Sequence, residues 1–152
     1  MKLKVNSKKL GQSLLGLSIL LLILHLLVLF DIVPPSIIWD TTITDRASVL
    51  VSEAIAIFFL AIFMIGLLAK LRWPLVKIFY PLADSFLWIM VVYFFLNAIG
   101  HLMADSVVEK LVYAPLIFIF TVLVVIFILA PQAQPVSRRR PKRPSREGRK
   151  RQ

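Results

Sequence analysis

Four nearly unbroken apolar stretches, near 13–30, 49–69, 86–103 and 111–130, dominate this chain. Each is about as long as an α-helix must be to cross the hydrocarbon of a bilayer, roughly 20 residues. The first reads L-L-G-L-S-I-L-L-L-I-L-H-L-L-V-L-F and has no polar face. A helix at a protein–water boundary carries polar residues every third or fourth position. The chain is 59% hydrophobic over 152 residues, above the roughly half-apolar composition of water-soluble domains. The expectation is an all-α polytopic membrane protein, with four transmembrane helices at about 11–30, 47–69, 84–103 and 107–130 in an antiparallel bundle. A basic N-terminus (1–10) and a disordered basic tail (131–152) flank it. Lys2, Lys4, Lys8 and Lys9 resemble the start of a signal peptide, but D-I-V-P-P follows the first run in place of a small-x-small cleavage site. A retained first helix is therefore expected.

Charge sets the expected orientation. Lysines and arginines concentrate in loops on the cytoplasmic side of a membrane. If four helices alternate, the N-terminal lysines, Lys70, Arg72 and Lys77 of the second connection, and nine cations of the tail share one side. They make sixteen of the eighteen basic residues, and the opposite connections hold only Arg46 and Lys110. Both termini are then expected in the cytoplasm, with a bacterial cytoplasmic membrane as the location.

Local signals place the helix ends. Thr44 or Asp45 caps the second helix, and Asp84 with Ser85 the third. Ser106 and Glu109 form an S-x-x-E capping box for the fourth, after a tight hairpin. Trp39, Trp73, Tyr80 and Tyr113 fall near the predicted interfaces, where amphipathic rings settle. Gly11, Ser13, Gly16 and Ser18 form a small-residue stripe suited to helix packing, and Gly66 and Gly100 offer close approaches. Pro115 falls inside the fourth run and should free the Leu111 carbonyl and kink the helix.

Ionisable groups inside spanning helices are costly and mark sites or packing contacts. His25, Glu53, Asn97 and His101 all fall toward the outer ends of their helices, and Asn97, His101 and Asp105 are spaced i, i+4, i+8 on one face. One reading gathers these side chains into an outward-opening polar cluster for a proton, a metal ion or a small polar solute. The other treats each as helix glue or an interfacial group. Two histidines and a glutamate suffice for zinc chemistry, although H-E-x-x-H is absent; whether a metal binds stays open. The chain has no cysteine, which excludes disulfides and thiolate chemistry. No Ser-His-Asp order, glycine-rich phosphate loop or paired catalytic carboxylate is visible, so neither an enzyme nor a cofactor is expected.

The first outer connection is long for a bundle. Its Trp39 and Asp40, with Asp45, Arg46 and Asp105, are candidates for a lid over the cluster, with Arg46 near Glu53 or Asp105. The alternative is a solvated loop anchored by Trp39. The stretch D-I-V-P-P-S-I-I-W-D-T-T-I-T-D-R-A-S-V-L-V-S-E resembles the first loop of small, uncharacterised bacterial four-helix membrane proteins, in which a Trp-centred turn precedes a glutamate in the second helix. Members often place glycines after the tryptophan, where this chain has Asp40 and Thr41. The resemblance implies a four-helix membrane fold and no particular activity.

The tail carries Arg138, Arg139, Arg140, Lys142, Arg143, Arg146, Arg149, Lys150 and Arg151 against Glu147. Proline and like charge keep such a segment from burying a core. Its expected partner is the anionic headgroup surface of the inner leaflet. Nucleic acid is disfavoured because no aromatic residue interleaves the cations. The function expected is that of a structural or accessory membrane protein, free-standing or within a homo-oligomer or larger complex. The alternative is a binding or transport unit built on the polar cluster.

Overall fold

The computed structural model describes residues 6–38 and 45–131. Trp39, Asp40 and the cationic tail lie outside the described residues. Four long helices form: α1 (Ser7–Leu29), α2 (Arg46–Lys70), α3 (Ala83–Met103) and α4 (Ala114–Leu129). Short 3-10 helices at Pro35–Ile37 and Pro74–Leu82 precede α2 and α3, and a π-helical turn at Glu109–Tyr113 runs directly into α4. No strand occurs among the described residues. The four helical spans are long and apolar enough to cross a membrane.

The helix ends correct several sequence expectations. α1 begins at Ser7, before residue 11, because the Asn6 side chain accepts the Lys9 N–H at 3.1 Å. Lys8 and Lys9 thus sit in the first helical turn. Asp45 caps α2 as expected, accepting the Ser48 N–H at 2.8 Å. Asp84 and Ser85 do not cap α3. The Pro74–Leu82 helix winds straight into it, Leu82 holds the cap position, and Asp84 falls in the first turn. Half of the Ser106–Glu109 box forms: the Ser106 hydroxyl accepts the Glu109 N–H at 3.4 Å, while the Glu109 carboxylate turns to His101. Pro115 enters the first turn of α4, just beyond the π-turn. The helical run is unbroken from Val107 to Leu129, so Pro115 stands inside it, and the bond it cannot make to the Leu111 carbonyl falls within the widened π-turn.

α1 and α2 both end in a Schellman arrangement. Asp31 N–H reaches Val28 O and Ile32 N–H reaches Leu27 O; Arg72 N–H reaches Ala69 O and Trp73 N–H reaches Leu68 O. The position that needs a left-handed backbone is usually glycine. Here it holds Asp31 (φ 58°) and Arg72 (φ 61°).

The core lies between the helices, not on one face of a layer. Leu14, Phe63, Leu67, Leu87, Met90, Val124 and Phe127 are fully buried in one cluster. Phe63 meets Phe94 and Phe120 edge to face, with centroids 5.2 and 5.6 Å apart, the arrangement that the ring quadrupole favours. The small-residue stripe is used in part. A β-carbon at Gly11 would stand 2.6 Å from the Phe127 ring, and one at Gly66 3.2 Å from Leu87 and Phe86, so these are real close approaches. Gly16 and Gly100 face open space, Ser13 is exposed, and the buried Ser18 hydroxyl donates to Leu14 O within its own helix. Outside this core the helices are bare hydrocarbon: Leu20, Phe58, Val92 and Leu116 are all more than half exposed.

Candidate functional site

α1 and α3 end where α2 and α4 begin, and several ionisable side chains of that end occur there in pairs. His25 stands one turn before the end of α1, and Glu53 about two turns into α2. Because the two helices run antiparallel, the positions come level. His25 Nδ1 and Glu53 Oε2 share a hydrogen bond at 2.7 Å, with Glu53 0% exposed and His25 6%. In an apolar interior a bare carboxylate is costly, and a hydrogen-bonded partner offsets that cost.

A second pair closes the other hairpin. His101, in the last turn of α3, shares a 2.7 Å hydrogen bond from Nδ1 to Glu109 Oε2 in the π-turn. The edge of the Tyr113 ring packs against the imidazole at 5.8 Å. Glu109 is buried, and its second oxygen, Oε1, is enclosed with no hydrogen-bond partner among the described residues. A closed-in acceptor without a donor is rare in native structures.

Of the candidates His25, Glu53, Asn97 and His101, the structure joins His25 to Glu53, and His101 bonds to Glu109, which lay outside the expected set. Asn97, one turn before His101, is half-buried and makes no hydrogen bond among the described residues, and Asp105 is exposed beyond α3. No group of three or more histidine or carboxylate side chains is placed to hold a metal ion among the described residues. Glu109, read from the sequence as a capping residue, is the site residue that was missed. Its i+8 separation from His101 across a hairpin was the available signal.

Arg46 pairs at the end of α1. Its guanidinium donates to Asp31 Oδ1 at 2.5 Å and to Leu29 O at 2.8 Å. It thereby ties the end of α1 to the start of α2 and serves the last carbonyls of α1. The Asp45 carboxylate accepts from the Ser48 side chain and then from the Ser48 backbone N–H, and these bonds hold it below the ordinary value of 3.8.

At the opposite end a further pair was not anticipated. Lys70, buried at the end of α2, donates to Asp84 Oδ1 at 2.5 Å and to Ile128 O at 2.8 Å. One ammonium thus binds α2, α3 and α4. Ser7 Oγ donates to Pro131 O at 3.2 Å and joins the start of α1 to the end of α4.

The fold and these pairs define a four-helix, all-α chain with apolar outer faces and polar fastenings at both ends. Comparison with family models, curated proteins and solved structures gives no match for it.

Proposed function

We propose that this chain is a small multipass integral membrane protein of a structural or accessory kind. The observation that carries the reading is the way ionisable groups between helices are used. His25–Glu53 joins α1 to α2, Lys70–Asp84 joins α2 to α3, and His101–Glu109 joins α3 to α4. Each sits at a helix junction, as polar groups do when they hold transmembrane helices together. The membrane assignment rests on the four apolar spans and on the large hydrophobic side chains they expose. In water such a surface would far exceed the apolar patches of soluble monomers.

The charge asymmetry supports a bacterial cytoplasmic membrane with both termini inside. The tail cations Arg138 to Arg151 would then rest on anionic headgroups. Reporters fused at residues 42 and 152 test the topology: they should fall on opposite sides of the membrane, and finding both on one side refutes four crossings. Release of the full chain by alkaline carbonate would refute membrane integration.

One observation favours the second reading, a binding or transport unit. Glu109 Oε1 is an open acceptor next to His101. A proton, a cation or a small hydrogen-bond donor entering from this end would satisfy it. Thermal stabilisation of the purified chain by sodium, ammonium or zinc salts, lost in Glu109→Gln, would favour this reading over a purely structural one.

A further inference from the structure

The connection between α2 and α3 has one face docked and one face bare. Val76 is buried against Ala69 and Ala83, and Phe79 and Tyr80 pack beside it. On the other face Leu75 is 89% exposed and Ile78 80%, and Trp73, just ahead of them, is about half exposed. Leu75 and Ile78 stand on either side of a break in the helix at Val76 (φ −113°, ψ 28°), and both are exposed while Val76 is buried. Proline at 74 and 81 restricts the segment. Leu75 and Ile78 make an apolar patch where α2 gives way to α3, at the end of the bundle.

Cations frame that patch. Arg72 is held in the left-handed region by the Schellman bonds that end α2, and its guanidinium carbon lies 5.0 Å over the Tyr80 ring. A guanidinium stacked on a ring keeps its donor edge free, and that edge matches a phosphate bidentately. Arg72 and Lys77 are exposed, and neither side chain has an acceptor among the described residues. Asp84, in the first turn of α3, bonds to Lys70 through Oδ1. Leu71 packs where Gly11 leaves room, which brings the first turn of α1, with exposed Lys8 and Lys9, to the same end.

We propose that Arg72, Trp73 and Lys77, with Leu75 and Ile78, form a binding surface for an anionic phospholipid. The phosphate would lie against the Arg72 fork and the Lys77 ammonium, and the upper acyl chain against Leu75 and Ile78. A tryptophan at the headgroup level suits this geometry. The inference rests on the membrane reading above. It differs from a tail resting on the leaflet, because here the cations are held by folded backbone.

The test uses the full chain in nanodiscs, with Trp73 as the single tryptophan after Trp39→Phe and Trp88→Phe. Quenching by brominated phosphatidylglycerol is compared with quenching by brominated phosphatidylcholine at equal mole fraction. Each cation near an anionic surface is worth about 1 kcal/mol, or about fivefold in preference. A preference of about fivefold or more for phosphatidylglycerol is expected, falling toward unity in Arg72→Gln/Lys77→Gln and persisting when the tail cations are neutralised. If the double variant does not fold, the preference in the otherwise unaltered chain still decides. Equal quenching by the two lipids overturns the proposal, as does a preference that follows the tail. Inorganic phosphate at millimolar concentration abolishing the preference would point to a soluble-anion site and also overturn it. A chain that carbonate releases from membranes would fail on the membrane reading itself, whereas a retained chain without the preference loses only the lipid site.

Discussion

Glu53 has no exposed surface and meets His25 across the first hairpin at 2.7 Å. Removing one member of a buried polar pair leaves the other uncompensated, at a cost of about 3–5 kcal/mol where both carry charge. His25→Ala and Glu53→Ala should each lower thermal stability in detergent substantially. His25→Leu/Glu53→Leu should lose much less than the two single losses added together. Additive losses would show that the pair is not energetically coupled.

Gly11 faces Phe127 and Leu71 at distances that leave no room for a methyl group. Gly11→Ala gains helix propensity but forces a buried aromatic ring to move, at a cost of about 1–3 kcal/mol. Gly16→Ala, in the same helix and facing open space, should be stabilising by up to about 1 kcal/mol. Equal effects at the two positions, read from melting curves, would contradict the packing described.

Lys70 donates to one side chain and one carbonyl from two other helices. Lys70→Leu should cost about 1–3 kcal/mol, mainly through the buried Ile128 carbonyl it leaves. Asp84→Asn should cost less, since Asp84 is mostly exposed and exposed ion pairs contribute little. Reversal of that order in thermal unfolding would mean the ion pair, not the carbonyl contact, carries the junction.

Asp45 caps α2 through Ser48, and its folded carboxyl is held below the ordinary value of 3.8. A depressed acid contributes stability that is complete above its unfolded value and is lost as pH falls through the folded one. The cap should therefore weaken below about pH 4. Asp45→Asn keeps a good cap without the titration, so its stability between pH 5 and pH 2 should fall less than that of the parent chain. Parallel pH curves for the two would exclude the carboxylate as a contributor.

Arg72 occupies a left-handed position that costs an L-residue roughly 1–2 kcal/mol. Arg72→Gly relieves this and forgoes a cation–π contact of about 0.5–1 kcal/mol at an exposed site. The variant should be as stable as the parent or slightly more so in neutral detergent. A marked loss of stability would show that the guanidinium supports the fold itself.

The four helices were legible because their composition leaves no alternative burial, and Asp45 because a cap is a local event. Side-chain partners were not. α1, α3 and α4 are apolar nearly all round, so periodicity carries no rotation, and His25 could have faced any neighbour. Glu109 was hidden behind a valid capping signature, and half of that signature does form. Lys70 was read as a topological charge because a lysine at a helix end ordinarily reaches solvent; here it is buried. The π-turn was anticipated only as trouble at Pro115. Whether such trouble becomes a kink or a widened turn depends on what the freed backbone meets.

The hydrogen bond from Ser7 to Pro131 brings the outset of the first helix beside the exit of the last. Topologically the helical part is a ring with one bond missing. A short peptide joining those positions, with the chain reopened between residues 38 and 45, should yield a permuted protein with the same four neighbours in the same order. Under the proposed four-crossing topology, both new ends would share the side opposite the present ends. The order of synthesis would change while the circuit of neighbours stayed the same.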